Sequence, residues 1–215
     1  MTCTTDISGT VTANVVVPSG EVCALLAGAV VYGNIAVEKA ATLFVDDGVT
    51  INGNVEARSG SGVLMGEGTT LNGSYGASDA ASAIVNAAVN NNVTFSGGSY
   101  GLVGEVSGRL TCSGSVTGAS LTPGASSSGC VVADPLTVLG YVISAAQKAS
   151  GGSGGSKTKP LTCNQAITAA GVWLAISDML QSIPGCESNA TCSTEADFAT
   201  GVADGLLTAS CGNPT

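Results

Sequence analysis

The chain contains no histidine. That removes His-based triads, histidine general bases and mixed Cys/His zinc sites from the chemistry it can support. Charge is scarce as well: Asp, Glu, Lys and Arg make up 10% of residues, against roughly 25% in an ordinary domain. Aromatic residues are only 4%. With so little charge, Ser, Thr, Asn and Gly must face water, a composition usual for secreted or surface β-proteins. Basic residues are the scarcest charged class, 6 against 15 acidic, for a net charge of -9. Only Lys39, Arg58 and Arg109 are basic before residue 130. Phosphate neutralisation needs a basic face, so the reading excludes a nucleic-acid partner, and anionic membrane surfaces are disfavoured for the same reason. No run of about 18 apolar residues occurs, so no membrane span is expected. CxxC pairs and Gly-rich phosphate loops ending in Lys-Ser/Thr are absent. No Ser sits in a Gly-x-Ser-x-Gly elbow, since "GGSGGS" reads as a linker. No reaction can be read, and the expectation is a non-enzyme without a cofactor.

What is abundant is glycine, at 31 residues, and cysteine, at 8. An even cysteine count without histidine points to disulfides, and disulfides to an oxidising compartment. "MTCTTDISG" has no basic and then apolar leader. A secreted or cell-surface protein whose Met1 opens a trimmed mature form reconciles the two; a reduced cytosolic protein is the alternative. Asn72, Asn92 and Asn189 stand in Asn-x-Ser/Thr sequons that permit glycosylation.

"GNIAVEKAATLFVDDGVTINGNVEA" opens on Gly33-Asn34-Ile35 and returns to Gly53-Asn54-Val55 twenty residues on. The phase extends to Asn14 and Ser74, with Val15, Ile35, Val55 and Tyr75 following. Gly33, Gly53 and Gly73 share one phase; Gly28, Gly48 and Gly68 share another. A fixed period of this length is a repeat array. Alternation within each period, as in Val49-Thr50-Ile51, is short-strand patterning punctuated by turning glycines. One period holds two or three short strands and their corners. The fold expected is mainly β: a parallel β-solenoid of about 20 residues per coil, followed by a small disulfide-bonded α-helical region. Cys3 and Cys23 are twenty apart, and neighbouring coils lie about 4.8 Å apart, within reach of a disulfide. They are expected to staple the first coil; two buried free thiols are the alternative. After Ala77 the period slips. Twenty-five residues separate Gly73-Ser74-Tyr75 from Gly98-Ser99-Tyr100, so a loop is expected to bulge near Asn90-Asn91-Asn92. Cys112 and Cys130 are expected to pair across the irregular coils beyond.

"CTTDISGTVTANVVVPSGEVCALLAGAVVYGNIAVE" is similar to secreted bacterial β-helix repeat proteins of unassigned activity, over roughly residues 3–77. The Gly-Asn-Ile/Val coils also resemble bactofilins, which polymerise by stacking β-helices end to end, although bactofilins are cytosolic, poor in Cys and shorter in the coil. The resemblance implies a right-handed coil, in line with the usual crossover hand. It implies no catalytic residues and does not reach the C-terminal third.

The chain divides into a solenoid over 1–132, an amphipathic helix over 133–150, a Gly/Ser linker over 151–160 and a Cys-rich helical domain over 161–215. Leu136, Leu139, Val142, Ile143 and Ala146 have helical spacing, with Asp134 as N-cap and Pro135 at the first helical position. A second helix follows Leu161 and ends at Pro184-Gly185; Ile167, Val172, Leu174, Ile176, Met179 and Leu180 cover much of it. A third carries Phe198, Val202, Leu206 and Leu207 on one side. The four C-terminal cysteines allow three connectivities; Cys186–Cys192 with Cys163–Cys211 is favoured. Trp173 reads as a core aromatic, with an exposed partner anchor as the alternative.

Candidate sites are few. Asp46-Asp47, with Glu67 and Arg58, has the residue types of a calcium-assisted polysaccharide site, but Asp47-Gly48 also reads as a plain corner. Asn14, Asn34 and Asn54 read as a ladder of side chains bonded to one another. Thr10, Thr50 and Thr70 share a phase that Val30 interrupts, which weakens an ice-binding array. The leading expectation is a structural or adhesive extracytoplasmic module. It assembles into a filament or surface layer by solenoid stacking, or by docking its helices on a neighbouring solenoid, with itself or another surface protein as partner. A carbohydrate-binding or polysaccharide-active β-helix, and an ice-binding solenoid, are the alternatives.

Overall fold

The computed structural model describes residues 1–121, 126–151, 160–182, 186 and 190–211. The expected 20-residue coil sets the register of the first coils. Val15 pairs Ile35 and Ile35 pairs Val55; Leu43 pairs Val63; Thr50 pairs Thr70, all in parallel. Each coil contributes a strand to each of three faces. The first face stacks β3 (Val15–Val17), β6 (Ile35–Val37) and β9 (Val55–Ala57). The second stacks β1 (Asp6–Ile7), β4 (Val22–Leu25), β7 (Thr42–Val45) and β10 (Gly62–Met65). The third stacks β2 (Thr10–Val11), β5 (Val30–Val31), β8 (Thr50–Ile51) and β11 (Thr70–Leu71). Inward residues such as Leu25, Val45, Met65, Ile35 and Ile51 fill the lumen and are fully or almost fully buried. The corners close by i→i+3 backbone bonds, as from the Ala41 N–H to the Glu38 carbonyl and from the Ala29 N–H to the Leu26 carbonyl. Their third residues, Gly28 and Gly48 among them, have positive φ, which glycine adopts without a Cβ clash.

Beyond Ala77 the coil shortens rather than lengthens. Three long strands replace the short ones: β12 (Tyr75–Val89), β13 (Val93–Val106) and β14 (Arg109–Leu121), with β15 (Ser126–Ser128) beyond them. Tyr75 pairs Val93, eighteen on, and Val93 pairs Leu110, seventeen on. The expected twenty-five-residue step with a loop at Asn90-Asn91-Asn92 is therefore incorrect: Asn92 leads directly into β13. The cause is visible at the corners. Asp79 and Asn86 take left-handed φ of 48° and 50°, so a single residue bends a continuous strand where earlier coils spend a turn. Tyr100 pairs Ser82, not Tyr75, and the recurrence of Gly-Ser-Tyr is a coincidence of composition. Inside the lumen, Phe95 stacks on Tyr100 with ring centroids 4.2 Å apart.

Three helices follow: α1 (Pro135–Gly151), α2 (Cys163–Ser182) and α3 (Ala190–Cys211). Asp134 caps α1 by accepting from the Thr137 N–H at 3.1 Å. The Gly/Ser stretch and Pro184-Gly185 lie outside the described residues. The helices cover the second face of their own solenoid. Outward residues Ala24, Phe44, Leu64, Ala81, Ala83 and Val85 share a core with Val138, Leu139, Val142, Val172, Trp173 and Ile176. Strands buried on both sides read as near-continuous apolar runs, as "TLFV" and "GVLM" do. Contact is close: a Cβ on Gly62 would sit 2.5 Å from the Ala149 carbonyl oxygen, and one on Gly101 would sit 2.3 Å from Val142 Cα. The Thr42 hydroxyl donates to the Ala149 carbonyl at 3.3 Å. Buried Gln165 donates through Nε2 to the carbonyls of Thr5 and Val22, fixing the start of α2 to the first coils.

The stripes differ in detail from the expectation. Leu136, Ile167, Leu174 and Phe198 are partly exposed, while Ala166, Ala169, Ala170, Ala196, Ala199 and Ala203 are buried. Small side chains let α2 and α3 approach closely, so the largest apolar residues need not mark the packed side. Trp173 is 1% exposed and lies in the core.

Disulfides join Cys3 to Cys23, Cys112 to Cys130, Cys163 to Cys211 and Cys186 to Cys192. Among the described residues no cysteine is free. Four disulfides fit an oxidising, extracellular environment, and among the described residues no helix is long and apolar enough to cross a membrane.

Candidate functional site

The paired aspartates lie at the corner between the second and third faces. Asp46 accepts from the Ala27 N–H at 3.3 Å and the Thr168 hydroxyl at 3.4 Å, so it ties neighbouring coils and α2. The Asp47 carboxyl is pushed above its ordinary range by burial first and then by the Asp46 carboxylate, while a hydrogen bond from the Glu67 backbone pulls it back by more than the Glu67 charge raises it. Arg58 is not part of this group. It lies at the opposite end of the second-face strand, roughly 13 Å away at 3.3 Å per residue, and its Nη1 donates to both carboxylate oxygens of Glu38 at 2.8 and 2.9 Å. No group of three or more metal-ligating side chains occurs among the described residues. The structure therefore divides the four residues drawn together from the sequence, and Asp46-Asp47 is a corner.

The asparagine columns differ from expectation in an informative way. Asn14, Asn34 and Asn54 do stack, but their side chains do not bond to one another. Each Oδ1 accepts the backbone N–H of the equivalent residue on the next coil: Asn14 from Asn34, Asn34 from Asn54 and Asn54 from Ser74, at 2.8–2.9 Å. Asn92 continues the column by accepting from the Arg109 N–H at 2.9 Å. The side-chain amide ladder is one column over. Asn72 Nδ2 donates to Asn52 Oδ1 at 2.9 Å, and Asn90 Nδ2 donates to Asn72 Oδ1 at 2.7 Å. Thr12 begins that column and Tyr32, 61% exposed, follows it. The column was available in the sequence as the shared phase of Tyr32, Asn52 and Asn72; only the shortened coil hides Asn90. Beside it run Thr10, Val30, Thr50 and Thr70, and then Ala88 and Glu105, which end the threonine character. Of the sequons, Asn72 lies in the amide ladder, Asn92 at the corner before β13, and Asn189 outside the described residues.

A cleft of about 180 Å³ between α2 and α3 is lined by Gln181, Cys186, Ser193, Ala196 and Asp197. It is below the roughly 300–1,000 Å³ typical of small-molecule sites.

The solenoid ends are the remaining feature. Among the described residues, β1 pairs only β4, β2 pairs only β5, and β15 pairs only β14. The carbonyls of Gly9 and Val11 accept from Val30 and Tyr32 on the next coil. In a parallel strand this turns the Thr10 N–H and C=O the other way, toward the open end. Asp6 is placed likewise between Thr5 and Ile7, whose carbonyls accept from Ala24 and Leu26.

No family model matches the chain, and no curated protein and no solved structure matches it.

Proposed function

We propose that the protein is a non-enzymatic extracytoplasmic structural module, secreted or held at the cell surface, that assembles by stacking its solenoid end to end. The observation that carries this reading is the pair of one-sided parallel edges. β1 and β2 at one end and β15 at the other each have a partner on one side only among the described residues. Unpaired strand edges are templates for another chain. Because all pairing is parallel, the last coil of one copy meets the first coil of the next with the strand direction preserved. Such a head-to-tail contact does not close on itself and produces a filament. Docking of the helices on a neighbouring solenoid is not part of this proposal, since they cover the solenoid of their own chain. Electron microscopy of the purified oxidised protein tests the reading: fibres or ordered linear oligomers are expected. A monodisperse monomer at every concentration would refute it.

A further inference from the structure

The third face and the corner after it carry no charge over residues 9–15, 29–35, 49–55, 69–75 and 87–93, in a chain with 15 acidic residues. Charged side chains resume only at Glu105 and Arg109. What the face offers instead is neutral hydrogen bonding and one aromatic ring. Tyr32, Asn52, Asn72 and Asn90 stand in line on successive coils, with Thr50 and Thr70 alongside. The two ladder bonds of 2.9 and 2.7 Å hold the amide planes in one orientation. Each amide retains a second N–H and a second lone pair that the ladder does not use. The line therefore repeats the same donor and acceptor pair about every 4.8 Å along the axis.

A neutral, preorientated row of amides headed by an exposed ring fits a neutral polymer rich in hydroxyl groups. Anionic polymers lack a basic partner here, and cationic ones lack an acidic one. The aromatic face accepts the apolar side of a pyranose, and the amides bond the hydroxyls of the sugars that follow. The coil spacing is close to the rise per sugar of an extended β-linked chain. We propose that the face bearing Tyr32, Asn52, Asn72 and Asn90 binds an uncharged glycan lying along the solenoid axis, with one ring on Tyr32 and successive sugars on the amides. The face lies on the flank of the solenoid and not at either end, so this inference is independent of stacking.

Affinity electrophoresis of the oxidised protein through gels containing a β-1,4-glucan, a β-1,3-glucan or a galactomannan, with alginate as the anionic comparison, tests it. Retardation is expected in at least one neutral gel and not in alginate. Tyr32→Ala should weaken that binding about tenfold, and Tyr32→Trp should retain it. Trp173 emission verifies that each variant is folded, and Phe198→Ala, which removes an exposed ring from α3, should leave binding unchanged. Four results would overturn the inference: no retardation in any neutral gel; binding that Tyr32→Ala leaves intact; a thermal hysteresis that Tyr32→Ala abolishes, which would assign the face to ice; or a lateral dimer that Tyr32→Ala dissociates, which would assign it to a second copy.

Discussion

Replacing Phe44 with Ala should detach stability from the helical cover while leaving the lumen of the solenoid filled. Phe44 is fully buried, yet it points outward from β7. Its neighbours on the adjoining coils are Ala24 and Leu64, and Ala24 is too small to fill the space left. Truncating a buried Phe typically costs about 3–5 kcal/mol, with the larger losses where the site cannot collapse. For a chain of this length each kcal/mol lowers Tm by about 2–4 °C, so a fall of about 10 °C is expected. Trp173 is the only tryptophan and lies in the same core, so its emission follows the cover whether or not the solenoid unfolds with it. Thermal unfolding of the oxidised protein, read by Trp173 emission and far-UV circular dichroism, is the assay. Val16→Ala, on the exposed first face, should change Tm by no more than about 2 °C. A shift as small as that for Phe44→Ala would show that the helices do not depend on this face, and the reasoning would fail.

Gly101→Val should disrupt the same interface from the α1 side, because its side chain would have to occupy the position of Val142 Cα. A loss of about 2 kcal/mol or more is expected in urea unfolding, and an unchanged midpoint would contradict the packing. Removing Cys163–Cys211, which closes 48 residues, should cost about 4 kcal/mol, and removing Cys186–Cys192, which closes 6, about 2 kcal/mol. Paired Ser variants compared by thermal unfolding test the order, and equal losses would be the wrong result. The raised pKa of Asp47 means that the folded state holds this proton more tightly than the unfolded chain does. Its stability is therefore greatest below the ordinary value of 3.8 and is lost as pH rises through the raised one. Asp47→Asn should raise Tm at pH 7 and leave it unchanged at pH 3; the same increment at both would rule out titration as the cause.

The coil was legible because its lumen demands the same apolar positions on each turn. Val15, Ile35 and Val55, or Leu25, Val45 and Met65, cannot drift without leaving the core. The proximity of Cys3 to Cys23 follows from the same period. The slip after Ala77 was legible only as a loss of phase. Whether a coil lengthens or shortens depends on φ at Asp79 and Asn86, and neither residue type dictates a left-handed conformation. The helical cover was half legible. "TLFV" and "GVLM" lack the polar alternation of a solvated face, but nothing local says that the covering element comes from the same chain. The asparagine columns show the limit at side-chain level. Periodicity places Asn34 under Asn54 without choosing between a backbone N–H and a side-chain amide as partner.

The central claim is that the open edge at Thr10 pairs with another copy. Replacing Thr10 with Pro removes the N–H that β2 directs at that end and leaves the bonds made by Gly9 and Val11 to the next coil in place, while Thr10→Val retains the N–H. Electron microscopy and sedimentation of the oxidised variants at matched concentration test the claim most directly. Fibres from the native chain and Thr10→Val, with none from a folded Thr10→Pro, are the predicted result. Fibres from all three, or monomers from all three, would contradict it.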